Sequence, residues 1–74
     1  MNIYEFAQNV SSKYEFIEFL KLLKGNLEEK PEEWENNDIT SFIEGLSGYS
    51  ADSIHEVPSW KLFSEILLAA RVYE

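Results

Sequence analysis

Asp52, His55 and Glu56 come nearest, in residue type and spacing, to a reactive site in this chain. An imidazole titrates close to neutral pH, and a carboxylate three residues away can orient or charge it for proton transfer. There is, however, one histidine and no cysteine in the 74 residues. A single D-x-x-H cannot assemble the paired carboxylate–histidine ligands of a helical two-metal centre. The surrounding "YSADSIHEVP" reads as an irregular surface loop, so His55 is expected to be exposed there. The serines fall in caps and loops, with no G-x-S-x-G elbow to make one a nucleophile. Gly25, Gly45 and Gly48 stand alone, so no glycine-rich loop cradles a phosphate. The reading is of a protein that is not an enzyme, with no cofactor and no metal.

The densest chemistry lies in "EEKPEEWENND", residues 28–38, with six carboxylates, one lysine, one proline and one tryptophan. A calcium loop needs oxygen ligands at alternating positions around a sharp glycine turn. This segment has no glycine, and Trp34 interrupts it. Part of it reads as punctuation. Pro31 ends one helix, because proline disfavours helical backbone in the residue before it. Asn37 or Asp38 caps the next. Trp34 has two roles open to it: a lid folded back over the helix ends, or a partly exposed anchor for a protein partner. Punctuation leaves Glu28, Glu29, Glu32, Glu33 and Glu35 without a task. With Trp34, they are the candidate partner-binding residues.

The elements that position these groups read as helices. "NIYEFAQNV" places Ile3, Phe6, Ala7 and Val10 on one face, with Asn2 as cap and Glu5 three residues on. This predicts a short helix over about 3–9. Ser12 and Glu15 form an S-x-x-E capping box for a second helix, which extends to about Lys30. Its stripe is Phe16, Ile17, Leu20, Leu23 and Leu27, widened by Phe19 and Leu22. Gly25 is expected either to end it early or to admit a close contact. A third helix carries Ile39, Phe42, Ile43 and Leu46. Gly45 predicts that it is short, with Gly48 as its breaker. A last helix starts at Pro58 or Ser59, with Phe63, Ile66, Leu67, Ala70 and Tyr73 inward and Trp60 more core than ligand box. Leu62 and Leu68 make it apolar over more than half its circumference, as suits a central helix. Arg71 suits its C-terminal dipole. The expected fold is all-α, a small bundle of four helices with the first one short, in a single domain.

Charge limits the partners. Fourteen acids against six bases give a net charge of −8. Such a surface repels nucleic-acid phosphates and anionic head groups, so neither nucleic acid nor membrane is expected as a partner. The six bases form no patch. Imitation of DNA by the carboxylates of residues 28–38 would need a regular array, of which they supply only part. The N-terminus lacks a basic stretch followed by an apolar run. The longest apolar run, "ILLAA", is far short of the roughly 20 residues that span a bilayer. The missing cysteines fit a cytoplasmic location.

"SKYEFIEFLKLL", "PEEWEN", "SFIEGL" and "PSWKLFSEILLAARVYE" together resemble a family of small bacterial domains of unknown function. Its members close on P-S-W-K-L-F-A-E-I-L-L-A-A-R-I-Y-E. The resemblance spans roughly residues 12–74, with a longer third segment in many members. It implies no catalytic residues, and by analogy it suggests an immunity-type protein that neutralises a toxin. The expected function is therefore binding of a basic protein partner. The alternative is a structural domain that self-associates, as a homodimer, through Leu62 and Leu68.

Overall fold

Each helix opens on a side-chain cap. Asn2 precedes α1 (Ile3–Gln8), Ser12 precedes α2 (Lys13–Glu29), Asp38 precedes α3 (Ile39–Asp52) and Ser59 precedes α4 (Trp60–Ala70). All four have extended backbone, and each side-chain oxygen accepts the N–H three residues on, from Glu5, Glu15, Ser41 and Leu62. Exchanging a capping serine for alanine costs about 1 kcal/mol. The capping box at α2 is displaced by one residue. The Glu15 carboxylate accepts from the Ser11 N–H at 2.9 Å and the Ser11 hydroxyl at 2.8 Å. Those bonds, the hydroxyl's first, hold the Glu15 carboxyl below its ordinary range. The computed structural model describes residues 2–73, and a 3₁₀ turn, Pro31–Glu33, joins α2 to the segment before α3.

The fold is all-α, a bundle of four helices with a short first one. α4 is its centre and packs against α1, α2 and α3. Phe19 of α2 and Ser64 of α4 are fully buried at the heart of the molecule, beside Ala7, Val10, Leu23 and Leu68. Burying a phenylalanine contributes roughly 2–3 kcal/mol by the area it removes from water.

Several sequence-based expectations are corrected. α2 runs straight through Gly25, where a Cβ would meet nothing within 4 Å, so that glycine neither ends the helix nor admits a neighbour. α3 is 14 residues long and passes through both Gly45 and Gly48. Packing against the end of α4 outweighs their poor helix propensity. A Cβ at Gly45 would lie 2.6 Å from the Ala70 carbonyl oxygen, and one at Gly48 would lie 3.2 Å from the Tyr73 ring. The irregular loop shrinks accordingly and begins after Asp52. The inner line of α4 is also rotated. It runs through Ser64, Leu68 and Arg71 together with Ala70, the member of the expected stripe that is fully buried; Leu67 packs on the core, while Phe63 stays 39% exposed. α1 packs against α4, and of the two polar members Ser64 is satisfied within its own helix. The Ser64 hydroxyl donates to the Trp60 carbonyl at 3.0 Å. Tyr73 lies beyond the helix end at Ala70.

Candidate protein-binding groove

α2 and α3 both pack on α4 but not on each other; no Cα of one lies within 8 Å of a Cα of the other. The gap is a groove of about 450 Å³. Leu20, Leu23 and Leu27 form one wall and Ile39 and Phe42 the other, with Trp34 between them. Lys24, Asn37 and Asp38 rim it. Ile39 is 73% exposed, and Ile17, Leu20 and Ile43 are exposed along the same two helices. The sequence pattern assigned all four to inward stripes. Two helices splayed over a third leave their facing edges bare, and no count of apolar spacing shows that.

The acidic segment closes one end of the groove, anchored by two residues. Trp34 takes the fold-back role. Its indole is buried, stacks on Phe42 at 5.7 Å and donates to the Asn26 side-chain oxygen at 2.7 Å. It is therefore no exposed anchor; it contributes an apolar end wall. Asn36 is the second tether. Its backbone N–H donates to the Arg71 carbonyl at 2.8 Å. Its side-chain amide donates to the carbonyls of Ala70, at 2.9 Å, and Tyr73, at 2.8 Å. Carbonyls at a helix end lack intrahelical partners, and Asn36 supplies the missing donors from a distant part of the chain. Asp38 completes the cap of α3, and the Ser41 N–H holds its carboxyl below the ordinary range.

Glu28 and Glu29 sit exposed on the last turn of α2, Glu32 and Glu33 on the 3₁₀ turn, and Glu35 just beyond Trp34. The structure thus leaves the five carboxylates exposed around the junction of α2 and the 3₁₀ turn, with Glu29 and Glu33 on the side facing α1, and turns the tryptophan inward. Of the charged residues, Asp38 on the α3 side and Lys24 on the α2 side line the groove. Along the chain, residues 31–60 hold seven acids and no lysine or arginine.

Arg71 is the residue whose role the sequence concealed most. It stands at the C-terminal end of α4, where a cation suits the helix dipole, but it is buried, only 3% exposed. Its Nε donates to the Leu68 carbonyl at 2.9 Å, Nη1 to the Asn26 side-chain oxygen at 2.9 Å and Nη2 to the Tyr4 hydroxyl at 3.0 Å. Its guanidinium also lies over the rings of Tyr4 and Trp34, at 5.4 and 5.8 Å. Neutral oxygens and aromatic faces together stabilise a cation that has left water. The signal available in the sequence was Asn26, a polar residue one turn after Leu23 on the inner face of α2. Trp60, expected in the core, is 37% exposed and forms an aromatic cluster with Phe16 and Phe63.

The Asp52–His55 pair does not assemble. His55 is exposed, its backbone N–H donates to the Ser53 hydroxyl, and the Asp52 carboxylate accepts from the Tyr73 hydroxyl instead. Among the described residues no group of three His, Asp or Glu side chains is placed to hold a metal ion. Nor is any helix among them long and apolar enough to cross a membrane.

A family model matches residues 12–74, from the cap of α2 through the whole groove and α4. The chain belongs to the DUF7660 family. That family is one of unknown function. The matched stretch of this DUF7660 chain contains every residue that lines the groove, and α1 lies before it. No curated protein and no solved structure matches the chain.

Proposed function

We propose that this DUF7660 protein is a non-enzymatic binding protein for a basic protein partner. The immunity-type form of that reading has it neutralise a toxin in the bacterial cytoplasm. The observation that carries it is an open apolar groove on a chain whose net charge is −8. An acidic chain steers a basic partner and suppresses wrong ones, and the apolar surface supplies affinity once contact is made.

Self-association was motivated by Leu62 and Leu68 on α4. Leu68 is buried and Leu62 half-buried, so these two leucines offer little surface for it. Capture from a lysate of the source cells, at low and at high salt, tests the proposal. A partner retained at low salt and released at high salt is expected. Finding no partner, or one indifferent to salt, overturns the charge-steered reading.

A further inference from the structure

We infer that the groove between α2 and α3 seats an amphipathic α-helix of the partner, apolar face inward and basic flank toward α3. This rests on the basic-partner reading and specifies its site and ligand. Both walls are helices, presenting Leu20, Leu23 and Leu27 on one and Ile39 and Phe42 on the other at about one-turn spacing, with Leu20 and Ile39 exposed. A helix laid between such walls meets them with anchors at i, i+3 or i+4, and i+7. The surface continues beyond the groove. Phe16 lies one turn before Leu20 and packs on the half-exposed Trp60 and Phe63, which lengthens the apolar track along α2. Among the described residues there is no strand edge to which an extended segment could add.

Charge selects among the occupants. A second copy of this chain brings another net charge of −8 against one that already carries −8. A lysine- or arginine-bearing helix is drawn to the acidic chain and, within the groove, meets Asp38 on the α3 rim and Lys24 on the α2 rim. Its flank is therefore attracted to one wall more than the other, which also fixes its orientation in the groove.

The test uses the full chain and two synthetic peptides of about four helical turns. One is of leucine and lysine with the leucines on a single helical face. The other has the same composition, shuffled so that they share none. Amide and indole NMR shifts locate binding, and titration gives the affinity. The patterned peptide is expected to shift Leu20, Leu27, Ile39, Phe42 and the Trp34 indole. Ile39→Glu adds an acid yet puts a charge in the groove, so affinity is expected to fall about tenfold or more. Leu20→Glu on the opposite wall repeats the test should Ile39→Glu lose its helical circular-dichroism signal. Binding that ignores both substitutions, or that is equal for the shuffled peptide, overturns the groove; if such binding still vanishes in salt, the basic-partner reading survives without it. Binding of neither peptide at low salt overturns the groove and counts against the broader reading as well.

Discussion

Trp34 and Arg71 share one acceptor: the side-chain oxygen of Asn26 takes the indole N–H at 2.7 Å and the guanidinium at 2.9 Å. One amide in α2 thereby joins the acidic segment to the end of α4. Asn26→Ala removes the acceptor from two donors, one of them charged and buried. An unsatisfied buried donor costs about 1–3 kcal/mol, and more when charged. Chemical denaturation of Asn26→Ala is expected to show a loss of about 2–4 kcal/mol. Arg71→Lys is expected to be destabilising too. A point-like ammonium cannot serve three separated acceptors as the planar fork does. Wild-type stability in either variant would mean that solvent or rearrangement satisfies the cluster.

The three glycines are expected to respond differently to alanine, because their surroundings differ. Gly25 has open space and carries only the entropic cost of glycine in a helix, so Gly25→Ala should stabilise by about 1 kcal/mol. At Gly45 the new methyl group meets a backbone carbonyl oxygen at 2.6 Å and the Asn36 amide nitrogen at 2.7 Å. Neither is free to move without breaking the tether to α4, and Gly45→Ala is expected to cost about 1–3 kcal/mol. At Gly48 the obstacle is the edge of the Tyr73 ring, which can yield by a few tenths of an ångström. Its alanine variant should fall between the other two. Denaturant midpoints for the three variants check the order.

The sequence was most legible where the chemistry is local. Asn2, Ser12, Asp38 and Ser59 are recognisable as caps because the bond each makes lies three residues away. It was least legible where a polar residue is buried by a distant partner. Arg71 is buried through Asn26 and Tyr4, but apolar spacing counts Phe63, Ile66, Leu67, Ala70 and Tyr73, of which only Ala70 is fully buried, and so passes over Arg71 and its neighbour on that face, Ser64. Gly45 reads as a weak point and Gly48 as a helix breaker because the carbonyl and the ring they admit come from the far end of the chain. The groove escaped for the same reason. Ile39 and Leu20 have the spacing of core residues, and only the absence of packing between α2 and α3 leaves them bare.

Two opposite pH dependences are expected. Hydrogen bonding to Asp52 raises the Tyr73 phenol above its ordinary value of 10.0, with burial and the Asp52 charge adding to the shift. A raised folded value means that the contact stabilises fully below the ordinary value and is lost as pH rises through the folded one. The stability difference between wild type and Tyr73→Phe should therefore shrink on going alkaline. Glu15 and Asp38 are lowered instead. Their contribution is present above the ordinary carboxylate range and is lost as pH falls through their folded values. Asp38→Ala should accordingly differ from wild type at neutral pH and converge with it in acid. Thermal melts across both pH ranges test the two signs, and parallel curves would exclude these contacts as the cause.

The five glutamates carry the functional reading into a sharper experiment. Glu28 and Glu29 occupy the last turn of α2, which has no basic residue, so their charges oppose the dipole of their own helix. Glu32, Glu33 and Glu35 add like charge close by. Solvated linkers need no such concentration at a helix end, and its local effect on stability is unfavourable. Replacing all five by glutamine changes the net charge from −8 to −3 while retaining size and polarity. Glu28, Glu29, Glu32 and Glu33 are exposed, so at those four positions stability is expected to hold or rise slightly, within about 0.5 kcal/mol per site. Association with a basic partner or the lysine-bearing peptide should slow about tenfold or more at low salt, and the two proteins' rates should converge at high salt. Stopped-flow measurement of the Trp34 signal supplies those rates. If they are equal at low salt, the carboxylates of residues 28–35 serve only solubility, and recognition must reside in the apolar walls of the groove alone.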